Sequence, residues 1–360
     1  MVAACYGKSI MAFFETNHVA IRGMSACVPK NVERNVDSYT KWGDYKKVRD
    51  IIGIDQRHVS PPNMCASDLF FEAGERLISD LGWSKSDIKA IVVVCQTPDY
   101  IQPPTACLLQ HRLGLGEDCF ATDVPHGCSG WIYGLSILSS LMQSGFIKKG
   151  LLFSGDTPTK CVSPEDKTTW PLFGDAGTCT ALEYTRENSL FKFCCSTDGS
   201  GSGGIMIHDG GYRHPYNQDS LNMHVYGDGV KRNRNHLTMD GMTVFSFAIS
   251  KAPEQVKQLM EFFKIEPEKI DYYLLHQANL FIDEKIRKKM RIPREKVLYC
   301  IQSFGNTSSG SIPLTLVSNA KSRLESAHLT LLGSGFGVGL SWASVLFETK
   351  NIKISDISEI

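Results

Sequence analysis

A cysteine between a predicted strand and a predicted helix is the residue of this sequence best placed to act as a nucleophile. FATDV has the pattern of a strand and SGWIYGLSILSSLM that of an apolar helix, so Cys128 in the HGC turn lies at the helix start. The N–H groups and partial positive charge of a helix N-terminus favour a thiolate. A small buried cysteine that fills a turn is the alternative. The setting predicts a nucleophilic Cys128.

Two further residues have positions typical of active sites in α/β proteins. His276 ends the predicted strand DYYLLHQ, at the carboxyl edge of a sheet, where such proteins commonly place their sites. Asn306 lies in the loop SFGNTSSGS. Each also has an ordinary explanation, because strand-end histidines are often structural and Gly-Asn is a common turn pair. Their roles depend on whether the fold brings them to the cysteine.

Two segments of the chain share one order of predicted elements, which indicates an internal duplication. Each alternates short β-branched strands with apolar-periodic helices, the pattern of βαβ units around a buried sheet. Ile88 matches Ile270 and Cys128 matches Gly310 at one constant offset. In a pseudo-twofold arrangement of the two halves, the loop with Asn306 faces the loop with Cys128, and the strand-end histidine lies near both.

Cysteine, histidine and asparagine are also the catalytic residues of papain-like proteases, and GCSGW is similar to their cysteine signature. In those proteases the cysteine lies near the start of a secreted mature chain. Here Cys128 lies in the middle of the chain, between a strand and a helix of a duplicated α/β body. We therefore reject the protease interpretation.

Composition excludes several other classes of protein. The chain has 360 residues and 42% hydrophobic content, enough for a large core, and its 38 basic and 38 acidic residues balance. No overall basic field favours nucleic acid or an acidic membrane. The 12 cysteines include no C-x-x-C pair, so neither a zinc ribbon nor a redox motif is predicted. GSGFGVG near the end precedes a strand pattern and not a helix, which disfavours a dinucleotide site. We expect a cytoplasmic protein with reduced thiols and no membrane span.

The duplication defines the expected domain organisation. The first half, residues 13–184, carries the cysteine, and the second half, residues 185–349, carries the histidine and the asparagine. Residues 1–12 and 350–360 are terminal extensions. The opening stretch 1–10 precedes a second methionine and is assigned no function. No linker rich in proline or serine separates the halves, so one compact body is expected.

Together these motifs identify the sequence as similar to the β-ketoacyl-acyl carrier protein synthase III family of the thiolase fold. That resemblance implies an α/β fold in which two duplicated βαβ-rich halves pack as a five-layered α-β-α-β-α body. It covers about Val19 to Glu348 and depends on six features: GCSGWIYGL, FGDAGTCTALE, DGSGSGG, HQAN, FGNTSSGSIP and the terminal glycine-rich strand.

In the family, cysteine, histidine and asparagine form a catalytic triad, which implies that role for Cys128, His276 and Asn306. The resemblance implies that an acyl thioester is attacked by Cys128 and that backbone N–H groups of Cys128 and Gly339 hold the oxyanion. A malonyl thioester then loses carbon dioxide while the histidine and the asparagine stabilise the enolate. Because an amide cannot take a proton, Asn306 favours decarboxylative condensation over routes that need a carboxylate base.

The resemblance also implies the substrates and partners. They are acyl-coenzyme A and a malonyl-acyl carrier protein, or malonyl-coenzyme A, with the carrier protein as a partner and coenzyme A or phosphopantetheine thioesters as the bound groups. No permanently bound cofactor and no metal are implied, and a homodimer is expected. Phe245 is implied as a substrate contact.

Several positions depart from the family pattern. Phe281 stands where an arginine that helps dock the carrier protein is usual, and Lys47 and Ile51 lie where a tryptophan and an arginine clasp the adenine of coenzyme A. Lys167 retains a positive charge where another coenzyme-contacting arginine is expected. Gln102 replaces an aromatic residue that reaches the partner subunit's acyl tunnel. These changes predict a specialised relative with an unusual or more polar acyl group.

Two other functions stay open at this point. The first is an acyltransferase that passes the acyl group from Cys128 to an amine or hydroxyl. The second is a catalytically silent thioester-binding or scaffold subunit, which is disfavoured because all three triad residue types are present.

Overall fold

The computed structural model of the protein describes residues 12–37 and 45–360, without the side chains of residues 45–48 and 228. The strands are β1 Ala12–Thr16, β2 Val19–Val28, β3 Val32–Arg34, β4 Gln56–His58, β5 Ile88–Val94, β6 Phe120–Val124, β7 Lys149–Asp156, β8 Ala176–Tyr184, β9 Phe191–Thr197, β10 Ile205–Met206, β11 His224–Val225, β12 Lys231–Arg232, β13 Thr238–Met239, β14 Tyr272–Leu275, β15 His328–Gly337, β16 Ser341–Lys350, β17 Lys353–Ile354 and β18 Ser358–Glu359. The helices are α1 Tyr45–Ile52, α2 Ala66–Leu81, α3 Thr105–Arg112, α4 Gly130–Met142, α5 Gly241–Phe262, α6 Leu280–Lys289, α7 Ile301–Phe304, α8 Ser311–Asn319 and α9 Lys321–Ser326. The opening stretch 1–10 and the side chain of Lys47 lie outside the described residues.

The two large sheets have the same topology, as the duplication predicts. One contains β2, β8, β7, β5 and β6 in that order, with β17 and β18 added beside β2. The other contains β9, β16, β15 and β14 in the corresponding order, with β1 beside β9. In both, the first three strands run antiparallel and the next pair is parallel. A parallel bridge between Tyr273 and Val297 stands where β6 lies in the first sheet.

Helices cover both faces of both sheets, which gives the expected α-β-α-β-α layers. The central layer consists of α4 and α8, each of which contacts strands of both sheets. On the outer face of the first sheet lie α2 and α3, and on that of the second lie α5 and α6. Because α4 is enclosed by two sheets, its sequence is apolar on nearly every side.

The central layer holds the largest group of buried side chains. Trp131 on α4 is 1% exposed and meets the ring of Phe347 edge-on at 5.7 Å. Its indole N–H donates to the Thr180 hydroxyl at 3.1 Å, so the polar atom of this buried ring is satisfied. This packing fixes the start of α4, the helix that follows Cys128.

The boundary near residue 184 stays a prediction, since each end of the described chain joins the sheet of the other half. Strand β1 pairs antiparallel with β9 in the second sheet, and β17 and β18 pair parallel with β2 in the first. Among the described residues, no helix combines the length and hydrophobicity needed to cross a bilayer.

Candidate functional site

Cys128 lies in a tight turn directly before α4, as the sequence predicts. The N–H of Gly130 donates to the carbonyl of Gly127 at 2.7 Å, which closes the turn around the cysteine. Strand β15 passes so close that a Cβ on Gly337 would lie 2.8 Å from the Cys128 sulfur. Only glycine fits there without displacing the sulfur.

The surroundings of Cys128 raise the pKa of its thiol, which acts against the expected preference of the helix start for a thiolate. Removal from bulk water raises the pKa of the Cys128 thiol to about 12, and the negative charge of Asp156 adds to that increase. The N–H of Val338, the cysteine's own backbone and the Ser308 hydroxyl act in the opposite direction. These donors stabilise a negative sulfur, but their lowering of the pKa is smaller than the increase caused by removal from water.

His276 lies just after β14 and is 1% exposed. Burial lowers the pKa of its imidazole to about 3, so the ring is neutral at pH 7. Its Nδ1 lies 2.7 Å from the Ser311 hydroxyl at the start of α8, and the ring meets Phe336 edge-on at 5.5 Å. A neutral imidazole at this position can donate a hydrogen bond without carrying a positive charge in a buried site.

Asn306 lies between α7 and α8, and the direction of its carboxamide is set by its own loop. Its Oδ1 accepts the N–H of Ser308 at 2.9 Å, and among the described residues its NH₂ group has no hydrogen-bond acceptor. Its backbone N–H donates to the carbonyl of Leu172 at 2.8 Å, and its carbonyl accepts from Gly174 at 3.1 Å. These bonds connect the second half to the segment before β8 in the first half.

One cavity of about 320 Å³ brings the three predicted residues together. Cys128, His276 and Asn306 all line it, and most of its remaining wall is apolar. That wall comes from both halves and from the segment between β9 and α5: Leu172, Phe173, Ile205, Met206, Ile207, Leu237, Met239, Val244, Ile282, Phe336 and Val338. The site is therefore a largely apolar cavity with the three polar residues in its wall.

The other predicted site residues lie outside the wall of this cavity, and their roles stay predictions. Phe245 and Phe281 stack at 5.6 Å, while their neighbours Val244 and Ile282 line the cavity. Lys167, Gln102 and Ile51 are exposed. Gly339 lies in the turn between β15 and β16, one residue after Val338, whose N–H reaches the Cys128 sulfur.

Two polar residues of the site escaped the sequence analysis. Asp156 ends β7, lines the cavity and is 1% exposed. Its carboxylate accepts the N–H groups of Gln96 at 2.6 Å and Thr97 at 3.1 Å, and Ser308 lies near enough to influence both this carboxylate and the Cys128 sulfur. The signal for Asp156 is its position at the end of the strand KGLLFSGD, since His276 also stands at the carboxyl end of a strand.

Replacement of Asp156 is expected to make Cys128 more reactive. In Asp156→Asn the buried negative charge is lost, so the pKa of the Cys128 thiol falls and the thiolate fraction at pH 8 rises about three- to tenfold. The measurement is the rate of alkylation of the Cys128 peptide by iodoacetamide between pH 7 and pH 10. Asp175→Asn is the matched control, because that buried carboxylate accepts similar bonds and acts on the Cys161 thiol instead. An unchanged alkylation rate in Asp156→Asn would contradict the assignment of the Asp156 charge as a cause of the raised Cys128 pKa.

A second buried acid lies behind the cavity in the first turn of α6. Asp283 is fully buried, and within the described part of the chain neither of its carboxyl oxygens is hydrogen-bonded. Burial raises the pKa of this carboxyl well above its usual value, although the nearby N–H of Ala278 favours the ionised form. The group is therefore protonated in the native protein over a pH range in which the unfolded chain has lost that proton.

This difference in protonation gives a prediction for stability. Because the native state holds the proton and the unfolded state loses it above about pH 4, wild-type stability falls as pH rises toward the native pKa. Relative to wild type, Asp283→Asn should gain at least about 1 kcal/mol between pH 5 and pH 8 in urea unfolding. Glu268→Gln, which changes an exposed carboxylate, should show no such trend. A stability difference that does not vary with pH would refute the buried-acid assignment.

The comparisons with known proteins agree with this geometry. Residues 122–199 match the family model for 3-oxoacyl-[acyl-carrier-protein] synthase III, and residues 260–349 match the model for its C-terminal part. A β-ketoacyl-[acyl-carrier-protein] synthase III of Streptococcus agalactiae is 35% identical over 296 residues, 82% of this chain and 87% of the relative. One of Clostridium perfringens is 32% identical over 328 residues, 91% of this chain and 98% of the relative.

The same agreement extends to solved structures. The crystal structure of a 3-oxoacyl-(acyl-carrier protein) synthase from Burkholderia xenovorans has a TM-score of 0.91 and 35% identity, and the match covers 97% of this chain and 99% of that one.

The fold and the site thus define an acyl-transferring condensing enzyme with the thiolase fold. More narrowly, the chain belongs to the 3-oxoacyl-[acyl-carrier-protein] synthase III family. Both the predicted fold and the family resemblance are confirmed.

Proposed function

We propose that this enzyme takes an acyl group from an acyl-coenzyme A or acyl-carrier thioester onto Cys128. It then condenses that group with the carbanion left when a malonyl thioester loses carbon dioxide. The observation that carries the proposal is the single cavity lined by Cys128, His276 and Asn306. Cys128 supplies the nucleophile for the first step, and His276 and Asn306 supply the hydrogen-bond donors for the second.

In the first step the Cys128 sulfur attacks the thioester carbon, and its proton leaves with the departing thiol. The N–H of Val338 and the Ser308 hydroxyl favour a negative sulfur, which lowers the cost of reaching the thiolate in the wall of this largely apolar cavity. By family resemblance, the N–H groups of Cys128 and Gly339 hold the tetrahedral oxyanion. The product is an acyl-cysteine.

In the second step a malonyl thioester enters, and its thioester oxygen accepts hydrogen bonds from His276 Nε2 and the Asn306 NH₂ group. Among the described residues, neither donor is used by a protein partner. Loss of carbon dioxide builds negative charge on that oxygen, where two neutral donors stabilise it without protonating the carbon. The carbanion attacks the acyl carbon, and the Cys128 sulfur leaves as a thiolate, which takes a proton from water to restore the thiol.

The remaining parts of the proposal concern substrates and setting. Acyl-coenzyme A and a malonyl-acyl carrier protein, or malonyl-coenzyme A, are the proposed substrates, and the apolar wall of the cavity offers packing for the methylene groups of the acyl chain and the pantetheine arm. A homodimer is proposed because Tyr100 and Ile101, next to the Gln102 position, expose 61% and 72% of their surface. A cytoplasmic location is proposed because the cysteines of the described residues are all free thiols.

Mass spectrometry tests the reaction. The enzyme is incubated with a panel of acyl-coenzyme A thioesters, and the intact protein is weighed before and after addition of malonyl-coenzyme A or malonyl-acyl carrier protein. We expect an acyl adduct that disappears as a product two carbons longer forms and carbon dioxide is released. A product in which the acyl group is attached to an amine or hydroxyl, without release of carbon dioxide, would favour the acyltransferase alternative and refute condensation.

A further inference from the structure

A buried serine contacts the proposed catalytic histidine on the side away from the cavity. Ser311 is the first residue of α8 and is 1% exposed. Its hydroxyl oxygen lies 2.7 Å from Nδ1 of His276. The same oxygen accepts the N–H of Gln277 at 3.4 Å. Ser311 is therefore placed between the histidine and the backbone that follows it.

The bonds around this hydroxyl decide which ring nitrogen carries the proton. The hydroxyl has one proton to donate, and among the described residues Nδ1 is the only acceptor found for it. If Nδ1 were protonated instead, both Nδ1 and the backbone of Gln277 would donate to the hydroxyl oxygen, and its own buried proton would lack a partner. Burying an unsatisfied donor is unfavourable. The arrangement favours an acceptor at Nδ1.

The ring itself is neutral, so the proton that Nδ1 lacks must be on Nε2. Burial disfavours an imidazolium and lowers the pKa of the ring to about 3. A neutral imidazole carries one N–H, and with Nδ1 as acceptor that N–H is at Nε2. His276 lines the cavity, and in the proposed function Nε2 is the nitrogen that meets the malonyl oxygen.

We propose that Ser311 is a positioning residue that donates its hydroxyl proton to Nδ1 of His276 and so holds the tautomer with the proton on Nε2. The role follows from the 2.7 Å contact, the burial of both side chains and the Gln277 N–H that occupies the hydroxyl oxygen. It rests on the proposed function, because the tautomer matters only if Nε2 donates to the substrate.

The wrong tautomer would turn the catalytic contact into a repulsive one. With the proton on Nδ1, Nε2 presents a lone pair to the malonyl oxygen, on which negative charge develops as carbon dioxide leaves. Cys128 does not use this nitrogen, so acylation should be insensitive to the tautomer. Loss of the Ser311 hydroxyl is therefore expected to separate the two half-reactions.

The test uses full-length Ser311→Ala with histidine labelled by ¹⁵N. His276→Ala identifies the His276 signals by their absence. We expect the wild-type ring to show a protonated Nε2 and an unprotonated Nδ1, and Ser311→Ala to shift toward the opposite tautomer. Decarboxylation of malonyl-coenzyme A should fall about ten- to a hundredfold in Ser311→Ala, while formation of the acyl adduct stays unchanged.

Two further variants separate positioning from a general loss of packing. Ser25→Ala removes another buried serine hydroxyl, which donates to the carbonyl of Ala73 at 2.6 Å far from the cavity, and should leave both half-reactions unchanged. Ser311→Thr keeps the hydroxyl and should restore the wild-type tautomer. A wild-type ring protonated at Nδ1, or a Ser311→Ala enzyme with wild-type tautomer and decarboxylation, would overturn the proposal. Because the ¹⁵N signals need no turnover, failure of the proposed function would be seen separately, as a wild-type enzyme that does not decarboxylate malonyl-coenzyme A.

Discussion

Cys128→Ala is expected to form no acyl adduct with any acyl-coenzyme A that labels the wild-type enzyme. The alanine has no nucleophile to receive the acyl group, so the initial rate of adduct formation should fall on the order of 10³-fold or more. Intact-protein mass spectrometry, followed by peptide mapping of the adduct, measures this directly. The turn should stay intact, because alanine keeps the Cβ of residue 128 and adds no atom near the closely packed Gly337.

Cys161→Ala is the matched control for this experiment. Cys161 also lines the cavity, and burial raises the pKa of its thiol to about 11, below the value of about 12 for Cys128. These two values are close, so ease of ionisation alone does not distinguish Cys128 from Cys161. The assignment of Cys128 depends instead on its position at the start of α4, among donors to the sulfur. An adduct that persists in Cys128→Ala and disappears in Cys161→Ala would reverse the assignment.

His276→Ala and Asn306→Ala should each keep the acyl adduct and lose decarboxylation. Neither side chain is needed for attack by the sulfur in the proposed mechanism, whereas each supplies one of two hydrogen bonds to the enolate oxygen. Loss of one such donor typically costs about 10²- to 10³-fold in rate. Release of ¹⁴C-labelled carbon dioxide from malonyl-coenzyme A, measured beside adduct formation in the same preparation, provides both readouts.

The two half-reactions act as internal controls for each other. An Asn306→Ala enzyme that fails in both has lost its structure, since Asn306 also receives the Ser308 N–H and holds its loop in place. Asn306→Asp keeps an oxygen acceptor for that N–H and removes the donor, so it should reproduce the loss of decarboxylation. Full decarboxylation activity in either alanine variant would exclude that residue from the enolate site.

The family resemblance predicts the thiolase fold and its five layers, and the internal duplication independently predicts two similar halves. Strands such as IVVV and YYLL, and the constant offset between the halves, are enough to predict two sheets of one topology with their loops facing each other. The convergence of Cys128, His276 and Asn306 on one cavity follows from that symmetry.

The electrostatics of the site could not be predicted in the same way. A helix start favours a thiolate, but the removal of Cys128 from bulk water and the nearby charge of Asp156 depend on tertiary packing that no local pattern contains. Ser311 and Asp283 are similar cases. Their roles depend on which atoms lie across a buried contact, at 2.7 Å for Ser311 and with no partner among the described residues for Asp283.

Reciprocal strand exchange at the two ends of the described chain has a mechanical consequence. Strand β1 lies at the start of the first half yet completes the sheet of the second, and β17 and β18 follow the second half yet flank β2 in the first. The sheet of each half is thus completed by a segment that lies outside that half in the sequence. Mechanical force on β1, or on β17 and β18, or cleavage there, should destabilise both sheets together. We therefore expect the protein to unfold as one cooperative unit. Fragments cut near residue 184 should fold only when both are present.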